Sequence, residues 1–494
     1  MSAFGWKVVY GGRTPPPGAV VRPGERLSWG RTVGLGAQHV VAMFGATFVF
    51  PVIMGLNPNL AILMSGIATV IFLLIVNGKV PSYLGTSASF VAGVAAIRAQ
   101  GGNSKEVTGA ILVAGAILVV VGIIVHFAGG EIVHKVLPPA VSGAVVMLIG
   151  FNLAPVVAGT YWPQDEWIGL LTMVFVIAAA VIFRGFWSRI AIFLGLVFGY
   201  LLSWAFDHIF GKINSVVGGA TTATDHYRVN WGGVKAADWL GFPHKSVFAA
   251  DGKETIVGWH GPSFSMTFIL LVIPSVIALI AENAGHLKAV SEMTGDNLDP
   301  YLGRAYIGDG VGTVLASAVG GSPTTTYAEN IGVMAATRVY STAAYFVASA
   351  VAILLGFCPK FGAIVSATPG GVLGGITVVL YGMIGLLGAK IWIENHVDFA
   401  NPVNLVPLAA GLIAGIGGVS LKFTDNFSIS GIALGTIFAL VLYHFVRWLA
   451  PAHLREPQGP GRAYEGGAMI STGNVETPEG EVSPFRDDLT TEKT

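Results

Sequence analysis

Charge is what this chain has least of. Asp, Glu, Lys and Arg make up 11% of its 494 residues, where soluble domains carry about 25%. The deficit is spread along the chain. Uncharged apolar runs recur from Thr32 to about Trp448, each roughly 20 residues long, the length that crosses a bilayer. A soluble enzyme with one anchor is therefore excluded in favour of a polytopic membrane protein. A single cysteine, Cys358, rules out an intrachain disulfide. A net charge of zero offers nothing to nucleic acid. No cleavable signal peptide is visible, since the first 31 residues are polar, with "TPPPG" among them. "GGVLGG" at 370–375 lacks the Lys of a phosphate loop and suits tight helix packing. There is no Gly-x-Ser-x-Gly elbow and no Cys/His metal cluster. The expectation is a chain that is not an enzyme and needs no cofactor or metal.

Fourteen candidate segments can be drawn, near 32–54, 58–77, 82–97, 108–128, 136–154, 166–184, 188–209, 263–287, 306–320, 324–338, 341–357, 370–393, 402–418 and 427–449. The third contains "SYLGTSASFVAG" and the tenth opens on "GGSPTTTYAENIG". Both are short and interrupted by small polar residues, and each is the third of its seven. Matching interruptions in two halves point to an inverted repeat with a site between broken helices. Non-helical chain survives at membrane depth only where protein or a polar cavity satisfies its amides. The expected layout is a tail over 1–31, a first repeat over 32–209, an outer loop over 210–262, a second repeat over 263–450 and a tail over 451–494. With both tails in the cytoplasm, the inner loops and flanks hold Lys79, Lys135, Arg184, Arg189, Lys288, Arg304, Arg338 and Lys390. The short outer loops hold Arg98, Lys105, Lys360 and Lys422. Basic residues favour the inner side, so this orientation is expected. The last tail, rich in Gly, Pro and Glu, reads as mobile.

A few polar residues interrupt the apolar segments. Ser263–Ala281 carries no charge, and Glu282 follows with His286 four residues on, on the same helical face. Those 19 residues make about 27 Å of helix. Glu282 therefore either ends a span at the interface or, if the helix starts later, stands inside it. Intramembrane ionisable groups usually mark a substrate or proton path. Glu329 follows the second interruption, at the start of a half-helix, where free amides and the positive helix end gather. It is either a cap, a role Thr324, Thr325 and Thr326 could fill, or a ligand-binding acid. Gln38 and His39 lie early in the first segment. They suit helix–helix support, and could orient Glu329 or Asn330 by hydrogen bonds.

These residues resemble those of the nucleobase–ascorbate transporters, the nucleobase:cation symporter-2 family. The family signature is an acid or Gln, then Asn-x-Gly, four residues, Thr and a basic residue. It is matched by Glu329, Asn330, Gly332, Thr337 and Arg338. Gln38-His39 and the Glu282/His286 spacing match further patterns of the family, as do "VPSYLGTSAS" and "LYGMIGLLGAKIW". An acid at 329, where purine carriers commonly have Gln, is most similar to bacterial uracil and pyrimidine permeases. The resemblance implies an all-α fold of 14 helices in two inverted sevenfold repeats. Helices 1–4 and 8–11 would form a core and helices 5–7 and 12–14 a gate, with short strands in broken helices 3 and 10. It implies a homodimer in the bacterial inner membrane that imports a nucleobase with protons. Glu282 and Glu329 would bind the base, lined by Ala46, Ala88, Phe90 and Ala328, with Tyr327 and Tyr381 nearby. His286, with the two glutamates, would couple the proton. Gln38, His39, Asn330, Thr337 and Arg338 would support the site. Uracil permeases often have Phe at position 88. Ala there implies a roomier site, open to thymine or xanthine. A purine permease of the same family is the alternative. An anion carrier of this architecture would want a basic residue or bare helix ends at its centre.

Overall fold

The computed structural model describes residues 5–16, 18–217, 222–243, 247–248, 254–256, 258–424 and 427–455. Its first half runs through α1 (Trp29–Met54), α2 (Pro58–Ile75), strand β1 (Leu84–Thr86), α3 (Val91–Ala99), α4 (Ser104–Ala128), α5 (Pro139–Phe151), α6 (Glu166–Ile182) and α7 (Ala191–Phe210). The second half runs through α8 (Met266–Thr294), α9 (Leu302–Ala318), strand β2 (Thr324–Thr326), α10 (Ala328–Thr337), α11 (Thr342–Gly356), α12 (Gly370–Glu394), α13 (Pro402–Ile416) and α14 (Gly431–Leu449). Local chemistry sets many ends. Asn57 accepts from the Leu60 amide with Pro58 at the first helical position, Asn103 and Glu106 form a capping box, and Asp165 caps α6. Gly55 and Gly295 close α1 and α8 in the left-handed conformation.

Each of the fourteen expected segments overlaps a helix. Among the described residues, eight helices are long and apolar enough to cross a membrane. A ninth counts if α11 and the short helix Pro359–Ser366, bent by 83°, make one span. The segments around β1 and β2 hold short half-helices instead, so length alone does not make them spans.

The halves interleave. α2 and α4 of the first pack on α9 of the second, and α1 and α2 pack on α11. A second group gathers α5, α6 and α7 around α12, with α13 and α14 against α5. β1 and β2 meet as an antiparallel pair, with Leu84 opposite Thr326 and Thr86 opposite Thr324. Two strands leave unpaired edges, costly away from water. Here two threonines cover them alike. Thr69 of α2 takes the Leu84 amide and donates to its carbonyl, and Thr313 of α9 does the same for Thr324.

The N-terminal segment is less free than expected. The first 31 residues read as a plain polar tail, yet Val21 pairs with Val339, with backbone bonds to Arg338 and Tyr340. Trp6 donates to Thr342. The loop between the two halves, expected on the outer side, is anchored too at its described residues. Arg228, nearly buried, bridges Asp165 (2.7 Å) and Asp207 (3.2 Å). The reading of the last tail as mobile falls mostly on residues 456–494, outside the described residues.

Candidate functional site

β1 and β2 bring the two interrupted segments face to face, and the site residues gather at their ends. Glycine is required at position 85. A side chain there would run into the Tyr327 ring and come within 2.6 Å of Thr47 Oγ1. Tyr327 is itself buried, its hydroxyl accepting from Thr47 (3.0 Å) and donating to the Thr86 carbonyl (2.8 Å). It binds β1 to α1, so it can offer a ligand its ring but not its hydroxyl.

Glu282 does not end its helix, because α8 continues twelve residues to Thr294. The helix starts at Met266, three residues later than the uncharged run begins, and carries Glu282 in its interior rather than at its end. Glu282 is half-buried, within electrostatic range of Glu329 and Asp309 and beside the Thr325 hydroxyl. Thr325 Oγ1 has no hydrogen-bond partner within the protein. Glu329 sits in the first turn of α10 and turns back on its own amide. It lines a cleft with Ala42, Gly45 and Ala46 of α1 on one side and Ile192, Phe193 and Leu380 on the other. That cleft is the seam between the two helix groups. Ala328 is exposed, Ala88 is half-buried and packs against the core, and Phe90 has no exposed surface and lies in the core itself rather than at the site. Tyr381 is buried beside Leu380, its hydroxyl without a protein partner.

A polar chain runs behind the acids. Asn283 Nδ2 donates to Asp309 Oδ2 (2.7 Å) and to the Leu279 carbonyl, which turns Asn283 Oδ1 toward Thr326. Thr326 donates to that oxygen (3.1 Å). Its hydroxyl has one hydrogen, so toward His286 Nδ1, 2.8 Å away, it can only accept. His286 therefore carries a hydrogen on Nδ1 in either charge state.

The supporting residues separate. Asn330 Nδ2 donates to both Nδ1 and the carbonyl of His39, whose ring lies 4.4 Å from that of Tyr345. Gln38 Oε1 has no such partner. Thr337 bonds back to the Val333 carbonyl. Arg338 points away from the acids, donating to the Pro16 carbonyl while its own carbonyl accepts from Val21.

Sequence reading missed Asp309, fully buried on α9, and the Asn283–Thr326 link. The signal for Asp309 was present. It is the one charged residue between Arg304 and Glu329. No group of three or more His, Cys, Asp or Glu suited to a metal occurs among the described residues.

A model described as "Permease family" matches residues 30–423. The putative pyrimidine permease RutG of Escherichia coli K12 is 41% identical over 451 residues, 90% of this chain and 95% of that one. The uracil permease of Bacillus caldolyticus is 36% identical, over 85% of this chain and 92% of that one. Among solved structures, the transmembrane domain of the cyanobacterium bicarbonate transporter BicA matches with a TM-score of 0.52 at 14% identity. It covers 84% of this chain and 96% of that one. Murine Solute Carrier 26 family member A9 in the inward-facing state gives 0.59 at 11%, covering 85% and 68%. At such identities these two share the fold alone.

Proposed function

The chain belongs to this permease family, the nucleobase:cation symporter-2 transporters, and from that premise we propose that it imports uracil-like pyrimidines together with protons. It is a multi-pass membrane protein of a nucleobase-transporter family. The observation that carries the finer reading is the approach of Glu282 on α8 to Glu329 on α10, beside the β1–β2 pair that joins the two halves of the chain. A uracil-like ring offers N–H donors next to carbonyl acceptors. Carboxylates accept from the first, and the free amides that open α10 donate to the second. Such a neutral ligand needs no Arg clamp. The pyrimidine choice draws on the names of the relatives, uracil permease and putative pyrimidine permease.

Two acids that share one partly buried site cannot both stay ionised cheaply. A proton from the acidic side therefore favours the loaded site, and His286 offers a nitrogen that exchanges it. Transport proceeds by alternating access, with α1–α4 and α8–α11 as a core that moves against a gate of α5–α7 and α12–α14. The interleaved packing and the matched threonines Thr69 and Thr313 support that division and an inverted repeat. Cytoplasmic termini, a location in the bacterial inner membrane and a homodimer complete the proposal. An anion carrier is disfavoured because acids, not bases, stand at the seam.

Labelled uracil uptake in a permease-deficient strain, competed by a panel of bases, tests the assignment. Saturable uptake blocked by unlabelled uracil and thymine is expected. Uptake competed only by purines, or no uptake above background, would overturn it.

A further inference from the structure

A second cavity lies beside His286, away from both glutamates. Phe72, Val80, Ser82, Asn283, Leu287, Val290, Ala305, Thr326 and Ile331 complete its lining, and it has room for a single water. It opens toward the end of the molecule where the N-terminal segment docks. Leu287 and Val290 lie further along α8 than His286, Phe72 is near the end of α2, and Ala305 is near the start of α9. Among its lining residues His286 is the titratable one. Ser82 is 2% exposed, and its hydroxyl has no hydrogen-bond partner within the protein. A hydroxyl buried without a partner is costly. One that faces a water-sized space, mostly apolar but shared with the polar groups of Asn283, His286 and Thr326, has an evident solution.

We infer that this cavity is a built water site through which a proton passes between His286 and the inner face, with Ser82 as its second polar anchor. This rests on the reading of His286 as a proton-carrying group. Thr326 holds Nδ1 in the donor state, so exchange falls to Nε2. The Nε2–H bond breaks as the water oxygen takes the proton. The water passes one of its own to Ser82 Oγ, whose proton goes on to solvent at the exposed residues Asn77 and Lys79. Only N–H and O–H bonds change, and no co-reactant is needed. The charged groups around His286 leave this route open. On its own helix Glu282 lies one turn back and Lys288 is exposed; α9 brings Asp309, joined only through Asn283; α10 brings Glu329; the turn before β1 brings exposed Lys79; and β2 brings only threonines.

The test is Ser82→Val in reconstituted vesicles, with Ser82→Thr beside it. Valine removes the hydroxyl and fills the space; threonine keeps the hydroxyl. Uracil affinity and counterflow, which need no proton release, should stay within about twofold of wild type in both. Accumulation driven by an acid-outside gradient should fall about tenfold or more in Ser82→Val and recover in Ser82→Thr. Wild-type accumulation in Ser82→Val would overturn the water site while leaving His286 coupling intact. Indifference of the wild-type protein to the gradient would instead overturn the coupling reading and this route with it. If Ser82→Val does not reach the membrane, Ser82→Ala replaces it. There a loss of about threefold supports the site, and no loss overturns it.

Discussion

His286 Nδ1 lies 2.8 Å from Thr326 Oγ1, and the neighbours of Thr326 fix the direction of that bond. Thr326→Val removes the acceptor and leaves a buried imidazole N–H unpaired, at a cost of about 1–3 kcal/mol. Gradient-driven uptake should drop about tenfold while uracil binding persists, and Thr326→Ser should restore it. Comparing net accumulation with counterflow in the three proteins checks this. Unaltered accumulation in the valine variant would remove Thr326 from the coupling path.

Glu282→Ala deletes an acceptor inside α8, so ligand N–H groups lose a partner. Uracil affinity should fall by about 1–3 kcal/mol or more. Glu329→Gln keeps the shape but exchanges an acceptor for a donor, and should weaken pyrimidines relative to purines. Calorimetry of purified protein with uracil and xanthine checks both. Wild-type affinities would return Glu282 to a structural role and Glu329 to a simple cap.

Ala88→Phe should narrow the substrate range. Ala88 is half-buried in the turn after β1 and packs against the core, so a ring there would add bulk beside the β1–β2 pair. Relative uptake of thymine and xanthine should decline while uracil remains. A variant with the parent's profile would defeat the roomier-site argument.

Gly85→Ala should destabilise the protein, since its methyl group meets the Tyr327 ring and Thr47. Overpacking of this kind costs about 1–3 kcal/mol. A lower melting temperature in detergent is the expected reading. An unchanged one would show that Tyr327 yields without cost.

Much of this molecule is legible in the chain because the bilayer imposes simple rules. Long uncharged runs identify helices, since no other solvent-free backbone satisfies itself so locally. The breaks at "GTSAS" and "SPTTT" mark where that self-sufficiency fails, and Glu282 and Glu329 stand out as acids among apolar neighbours, whereas Asp309 was passed over. What periodicity cannot encode is which distant groups meet. That Leu84 faces Thr326, that His39 accepts from Asn330, that Arg338 serves the N-terminal segment and that Asn283 joins Asp309 to Thr326 were settled by tertiary packing. A buried polar group must find a partner wherever the fold brings one. Sequence states the need of each residue; only the packed structure decides who meets it.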